Sequence, residues 1–375
     1  MIPGLSARAV SIIGQVTFGA ARTTVRDTRS RYERRRLVHV IPRSGAGNGG
    51  PLTAEPGAAT YVVTGCAGFI GSHLAEVLVE RGDRVLGIDA FTDYYAREAK
   101  EANLAGLVGR PRFHMLEADV VDAPLDALFE DVDGVFHLAA QPGVRGSWGR
   151  TFDVYLRDNL LATQRVFEAA AQRGVRVVFA SSSSVYGNAA TYPTSEDTPP
   201  RPVSPYGVTK LCCEHLADTY ADEAGLDFVA MRYFTVYGPR QRPDMAVGRI
   251  AEALAEGGTF VVYGTGEQSR DITYVDDAVL ATLAAMDAAA PGSVFNVGGG
   301  SETSLREIIE LCSALSGRDL EVQHRPAAAG DVRRTAADTS RILAELGWRP
   351  QTEIEQGLTA HLSWAASPPL RIQRV

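Results

Sequence analysis

From Thr60 onward the chain alternates short apolar runs with longer stretches in which apolar residues recur every three or four positions. That rhythm predicts strands alternating with helices, and hence a parallel sheet covered by helices on both faces. TYVVTG reads as the first strand, SHLAEVLVERG as a helix stopped at Gly82, and RVLGIDA as the second strand. Further strands are predicted in RFHMLEAD, GVFHLAA, RVVFASSSS and DFVAMRYF, with helices in YLRDNLLATQRVFEAAAQRG and YGVTKLCCEHLADTYADEAG. The fold class expected is α/β, a doubly wound parallel sheet with a smaller C-terminal domain.

After Phe234 the rhythm breaks into shorter elements and Gly- and Pro-rich turns, with a late amphipathic helix, SLREIIELCSALSG. The segment RDITYVDDAVLATLAAMDA and the strand SVFNVGG are expected to return to the large domain. The organisation predicted is a basic extension and linker over 1–57, a large domain over 58–235 plus 268–298, and a smaller one over 236–267 plus 299–368. No internal repeat is visible.

Length and charge limit the function classes. At 375 residues and 45% hydrophobic, the chain is long enough to bury a cleft between two lobes. Residues 1–59 carry nine arginines against three acids, a net of +6, which leaves −14 for the rest of a chain whose total is −8. An acidic body argues against nucleic acid as a partner. The basic front reads as an appendage; electrostatic attachment of Arg31, Arg34, Arg35 and Arg36 to an anionic membrane surface is its second, less favoured reading. Four irregularly spaced cysteines, Cys66, Cys212, Cys213 and Cys312, match neither a disulfide framework nor a zinc site. No metal is expected, and a reducing, cytoplasmic location is.

Gly65, Gly68 and Gly71 form GxxGxxG directly after a strand and at the opening of a helix, and Asp89 closes the next strand. Such glycines allow a tight turn and close approach of backbone to a pyrophosphate, whose charge rests on the helix N-terminus. An acid in the position of Asp89 accepts hydrogen bonds from the adenosine ribose and repels a 2′-phosphate. The expected cofactor is therefore NAD, on a Rossmann domain. His73, in the same turn, is assigned packing or capping.

In SPYGVTKLCCEH, Tyr206 and Lys210 stand one helical turn apart and can face one cleft. A phenol is a weak base at neutral pH, and a neighbouring ammonium favours the phenolate form that takes a proton. Lys210 is also expected to hold the nicotinamide ribose.

The glycine turn, the serine run ASSSSVYG and the YxxxK pair together resemble the extended short-chain dehydrogenases, the nucleotide-sugar epimerases and dehydratases, over about residues 60–365. That resemblance implies that Ser182, four residues before the tyrosine of VYG, is catalytic and binds the reacting sugar hydroxyl. It places Phe69 and Ile70 of the glycine turn, Asp119 and Val120 of EADV, and Leu138, Ala139 and Ala140 of HLAA against the cofactor. Asn159 matches a structural asparagine. Arg270 of SRDITYVDD matches an arginine on the nucleotide phosphates, Asp331 an acid on the nucleotide ribose, and Tyr263 the place of the base. Arg145 is a further candidate substrate contact, and the family's homodimer would use helices around 152–173 and 206–224.

The family's reactions share a 4-keto sugar and diverge after that intermediate. Dehydratases use an Asp-Glu pair just after the Ser/Thr, and decarboxylases a Glu just before VYG; Ser183 and Ser184 stand at those places. The segments RYFTVYGPRQRPDMA, DAFTDYYAREAKEANL and AAQPGVRGSW resemble UDP-glucuronate 4-epimerases, although Arg240 and Gln241 replace a more usual Trp-Gly. Thr235 stands where simple hexose epimerases and decarboxylases have Asn. The expectation is C4 epimerisation of a UDP-sugar, most of all UDP-glucuronate to UDP-galacturonate, with Thr235, Arg242 and Ser182 to Ser184 on the sugar carboxylate. A UDP-glucuronate decarboxylase, a UDP-hexose 4-epimerase and a non-catalytic NAD-sensing protein are the alternatives. Removal of residues 1–56 is expected to leave turnover in solution unchanged.

Overall fold

A computed structural model of the chain describes residues 58–326 and 332–366. The extension over 1–57 and Asp331 lie outside the described residues. The strands are β1 (Thr60–Thr64), β2 (Arg84–Asp89), β3 (Phe113–Glu117), β4 (Gly134–His137), β5 (Val177–Ser182), β6 (Phe228–Tyr233), β7 (Thr235–Tyr237), β8 (Thr259–Tyr263), β9 (Ser269–Tyr274), β10 (Ser293–Val297), β11 (Glu302–Ser304) and β12 (Glu321–Arg325). Seven of them form one parallel sheet in the order β10-β6-β5-β4-β1-β2-β3. The chain runs outward from β1 through β2 to β3, then returns to β4 on the other side of β1. A crevice therefore opens at the carboxyl ends of β1 and β4, where doubly wound sheets bind ligands.

The main helices are α1 (Phe69–Arg81), α2 (Ala162–Arg173), α3 (Pro205–Ala224), α4 (Ala246–Glu256), α5 (Val275–Ala288), α6 (Leu305–Ser316) and α7 (Ile354–Ala365). The central strands β1 and β5 are buried along most of their length because both faces of the sheet are covered. Val62 and Val63, adjacent on β1, go to opposite faces. Val63 packs with Leu74 and Leu78 of α1 and Val279 of α5, and Val62 with Val166 and Phe167 of α2 and Ala217 of α3. A separate core of Val247, Ile250, Leu254, Phe260, Ile308 and Leu358 holds α4, β8, α6 and α7 together.

The segment 268–298 divides between sheets. Its strand β9 pairs with β7 and β11 in a three-stranded sheet, whereas α5 packs against α1 and β10 joins the large sheet beside β6. Two helices also differ from their expected outlines. The first begins at Phe69, so Gly71 lies within its first turn. The second carries a π turn over Leu156–Leu161 before α2, and Asn159 sits in that turn, fully buried. The extra residue of a π turn re-aims a side chain, here toward the site.

Candidate functional site

The glycine turn is built from close contacts that leave no room for a side chain. Gly65 has φ +71°, and a Cβ there would lie 2.8 Å from the Ala139 nitrogen. A Cβ on Gly71 would lie 2.2 Å from the Gly65 carbonyl oxygen. The turn thus presents bare backbone at the N-terminus of α1, the shape and polarity a pyrophosphate requires. At the end of β2, the Asp89 carboxylate accepts from the Ala67 and Phe91 N–H groups at 3.1 and 2.8 Å. Burial raises its pKa, and those two bonds with the nearby Lys100 ammonium oppose the rise.

His137, at the end of β4, is fixed by the Thr64 hydroxyl at 2.8 Å and the Thr163 hydroxyl at 3.0 Å. Burial and the charge of Lys210 push its pKa down to about 3, so the ring is neutral. The Thr64 oxygen also accepts from the Ala139 N–H at 3.1 Å, which sets the strand end of Leu138, Ala139 and Ala140 over the glycine turn. His73 packs as expected, its Nε2 lying 3.0 Å from the Pro239 carbonyl.

Helix α3 begins where its sequence says it should. The Ser204 hydroxyl accepts from the Gly207 N–H at 3.1 Å and Pro205 occupies the first turn, a capped start that fixes the orientation of the next turn. Tyr206 lies in that capped first turn and Lys210 in the turn that follows. Lys210 Nζ lies 6.0 Å from the Tyr206 ring centroid and donates to the Ala180 carbonyl at 2.7 Å. Asn159 ties the same turn to the opposite wall: its amide donates to the Thr209 hydroxyl at 3.1 Å and to the Gln141 carbonyl at 3.1 Å, and its oxygen accepts from the Gln141 N–H at 2.7 Å. Tyr155 packs edge-on to Tyr206, ring centroids 6.2 Å apart, and donates to the Gly143 carbonyl at 2.8 Å.

Behind the serine run a buried ion pair joins Arg232 of β6 to Glu214 of α3 at 2.7 Å, and the Ser181 hydroxyl donates to Glu214. Replacing one partner of such a pair leaves a buried charge, so β5, β6 and α3 are locked in mutual register. Ser182 ends β5, and its hydroxyl accepts from the Ser184 N–H at 3.1 Å.

These parts converge on one cavity. Gly65, Gly68, Phe69, Ile70, Gly71, Asp89, Asp119, Val120, Leu138, Ala139 and Ala140 line it, as do Ser182, Ser183, Ser184, Tyr206, Lys210, Thr235 and Arg242. Asp119 enters it already paired to Arg157 at 2.6 Å. Arg242 directs two nitrogens at Asp244, 3.0 and 3.2 Å away, and Tyr94 donates to the same carboxylate at 3.1 Å. Arg145, Tyr263 and Arg270 are not among the lining residues. Arg145 instead stacks on the Tyr263 ring, 4.6 Å from its centroid, and Arg270 donates to the Ser269 carbonyl at 2.8 Å. Tyr94 and Tyr95, from the loop after β2, and Lys100, from the short helix Arg97–Asn103 that follows it, also line the cavity, and the sequence pattern does not single them out individually. Their signal is position, since loops at the carboxyl ends of such strands border the crevice.

Chemically, the cavity offers bare backbone for a dinucleotide pyrophosphate, an acid at the adenosine side, and a phenol beside an ammonium where the reacting centre would sit. NAD fits this set, and Gly65, Gly68 and Gly71 would hold its pyrophosphate.

Residues 61–298 match the model of the NAD dependent epimerase/dehydratase family. A Bacillus subtilis protein named as an uncharacterised UDP-glucose epimerase is 40% identical over 309 residues, covering 82% of this chain and 98% of its own. The UDP-glucuronate 4-epimerase of Thermodesulfobacterium geofontis is 36% identical over 311 residues, covering 81% and 95%. Among solved structures, the Bacillus cereus UDP-glucuronic acid 4-epimerase in complex with UDP-glucuronic acid and NAD aligns with a TM-score of 0.79 at 38% identity, covering 82% of this chain and 98% of that one. The chain belongs to the NAD-dependent epimerase/dehydratase family, and it is an NAD-dependent UDP-sugar 4-epimerase.

Proposed function

We propose that the sugar is UDP-glucuronate, inverted at C4 to UDP-galacturonate. The observation that carries this reading is the make-up of the cavity beside Tyr206, where Ser182, Ser183, Ser184, Thr235 and Arg242 supply hydroxyls and a cation. The lining carboxylates Asp89, Asp119 and Asp158 come instead from the β2 and β3 ends and the π turn. Strands lie about 4.8 Å apart, so the ends of β5 and β2 are separated by roughly 14 Å. Asp89 and Asp119 are thus too far from the serine run to remove a C5 proton or assist loss of a C6 group, and Asp158 is paired to Arg157 at 2.9 Å.

Tyr206 takes the C4 hydroxyl proton while Ser182 orients that hydroxyl, and the Lys210 ammonium stands 6.0 Å from the Tyr206 ring centroid. When bound, NAD would supply hydride transfer at C4 in both directions. Between the two transfers the ketone turns over, and Tyr206 then gives the proton back to the oxygen on the other face. During that interval a 4-keto glucuronate is a β-keto acid, which loses CO2 when its carboxylate stands perpendicular to the carbonyl plane. Thr235 and Arg242 hold the carboxylate away from that orientation through charge-assisted hydrogen bonds, with Asp244 aiming the guanidinium.

Asp244 also offsets part of the Arg242 charge, and this favours a neutral UDP-hexose as the second reading. A competition between equimolar UDP-glucuronate and UDP-glucose separates the two. Preference for the uronate by roughly 10²-fold in kcat/KM, with neither net NADH nor CO2, supports the first reading; predominant UDP-galactose overturns it. Replacing Thr235 by Asn or Ala should raise CO2 release relative to epimer, and an unchanged ratio removes Thr235 from this role.

A further inference from the structure

The loop that carries Arg242 is fastened to the helix that carries the cofactor turn. After β7 the chain passes through Gly238 at φ +142° and Arg240 at φ +64°. A non-glycine residue in the left-handed region is disfavoured, so a compensating contact is expected there. Arg240 supplies one. Its Nη2 donates to Glu76 of α1 at 2.8 Å and its Nη1 to the Ser72 hydroxyl at 3.3 Å, one residue beyond Gly71. Both members of the ion pair are about one-fifth exposed, 19% and 20%, so water screens the pair less than it would a surface one.

Next along the loop, the Gln241 side chain donates to the Val236 carbonyl at 3.0 Å and accepts from the Gly248 N–H at 2.8 Å, which joins β7 to α4. Arg242 then turns into the cavity. Thr235, Arg242 and Met245, which all line the cavity, thus lie on either side of a charged tie to the cofactor helix.

We infer that the Arg240–Glu76 pair is a positioning element that determines specificity, holding the Thr235–Arg242 loop at a fixed height over the cofactor turn. This rests on the proposed sugar-acid reading. The 4-keto intermediate must rotate while its carboxylate stays gripped, and a displacement of about 1 Å in such a site costs roughly 10²-fold. When the tie is cut the loop shifts relative to α1 and the carboxylate reaches the perpendicular orientation. The C5–CO2 bond then breaks, its electron pair enters the ketone to give an enolate, and protonation leaves a UDP-4-keto-pentose. The net change is one UDP-glucuronate and one NAD+ to one UDP-4-keto-pentose, one CO2 and one NADH.

The test uses the full chain carrying Arg240→Ala, Glu76→Ala, Arg240→Lys, or the exchanged pair Arg240→Glu with Glu76→Arg. Each is incubated with UDP-glucuronate and NAD+, and CO2 per UDP-galacturonate, absorbance at 340 nm and NAD retained per chain are measured. Both alanine variants should raise the CO2-to-epimer ratio about fivefold or more while retaining NAD, and the exchanged pair should return it to within about twofold of wild type. An unchanged ratio in both alanine variants overturns the inference, as does an exchanged pair that folds and behaves no better than they do. If the exchanged pair does not fold, Arg240→Lys must fall between wild type and Arg240→Ala. A wild type that epimerises UDP-glucose alone removes the sugar-acid reading without deciding the clamp. The clamp is then read on UDP-glucose as NADH-bearing enzyme accumulating in the alanine variants, and the absence of any increase refutes it.

Discussion

Lys210 Nζ donates to the Ala180 carbonyl at 2.7 Å and stands 6.0 Å from the ring centroid of Tyr206, which lies one helical turn earlier. The ammonium is therefore anchored to β5 as well as to α3, and its field acts on the phenol from a fixed place. Tyr206→Phe should retain NAD and the fold while losing about 10²- to 10⁴-fold in kcat, the range for removal of a positioned acid–base group. Near wild-type rates in a single-turnover assay would show that another group moves the proton.

The glycine turn makes a sharper structural prediction. Gly71→Ala places a methyl 2.2 Å from the Gly65 carbonyl oxygen, so either the turn or the start of α1 must move. The purified variant should hold little or no NAD, by absorbance and by titration, while the large sheet stays folded. Unaltered NAD affinity would mean that the pyrophosphate does not lie on this turn.

Acid should destabilise the chain through its buried histidines. Burial lowers the pKa of His137 to about 3 and of His361 to about 4. Each ring is neutral in the folded state, whereas in the unfolded chain it takes a proton near pH 6.5. The stability this neutrality preserves is complete above about pH 6.5 and is lost as pH falls toward the folded values. At pH 5 each ring accounts for a loss of about 2 kcal/mol. His361 lies 2.6 Å from the Gly238 carbonyl through Nδ1, and glutamine keeps a donor for that oxygen. His361→Gln should therefore flatten the fall in Tm between about pH 7 and pH 5; an equal fall in variant and wild type would assign the acid sensitivity elsewhere.

Apolar side chains are exposed on the two helices through which a homodimer would form. Val154, Leu156, Leu161 and Val208, on the helices around 152–161 and 205–224, are each about two-fifths exposed. Sedimentation should give a dimer, and Val208→Glu should shift it toward monomer. A monomeric wild type at micromolar concentration would leave that surface without this role.

The large sheet and the glycine turn are legible in the sequence because burial on both faces writes continuous apolar runs such as TYVVT, and because the turn tolerates no side chain at Gly65 and Gly71. The strand Ser269–Tyr274, expected in the large domain, belongs elsewhere. Its six residues, the first three of them polar, carry no pattern that selects a sheet, and its pairing with Thr235–Tyr237 identifies which one it joins. The π turn is invisible to periodicity because it depends on the contacts of Asn159 with Gln141 and Thr209. Arg145 and Tyr263 are each expected on substrate; that they stack on one another is a tertiary fact. Tyr94 and Lys100 fall in the segment DAFTDYYAREAKEANL, whose resemblance marks the stretch as a whole, but the sequence does not say which of its side chains turn inward.

The most direct measurement tracks one atom. UDP-glucuronate carrying deuterium at C4 is incubated with the protein and NAD+, and the product sugar, its label and released CO2 are determined together. The expected result is UDP-galacturonate with deuterium retained at C4, no net NADH and no stoichiometric CO2. A UDP-pentose or UDP-4-keto-pentose with one CO2 per turnover, or no conversion of UDP-glucuronate where UDP-glucose is epimerised, would contradict it.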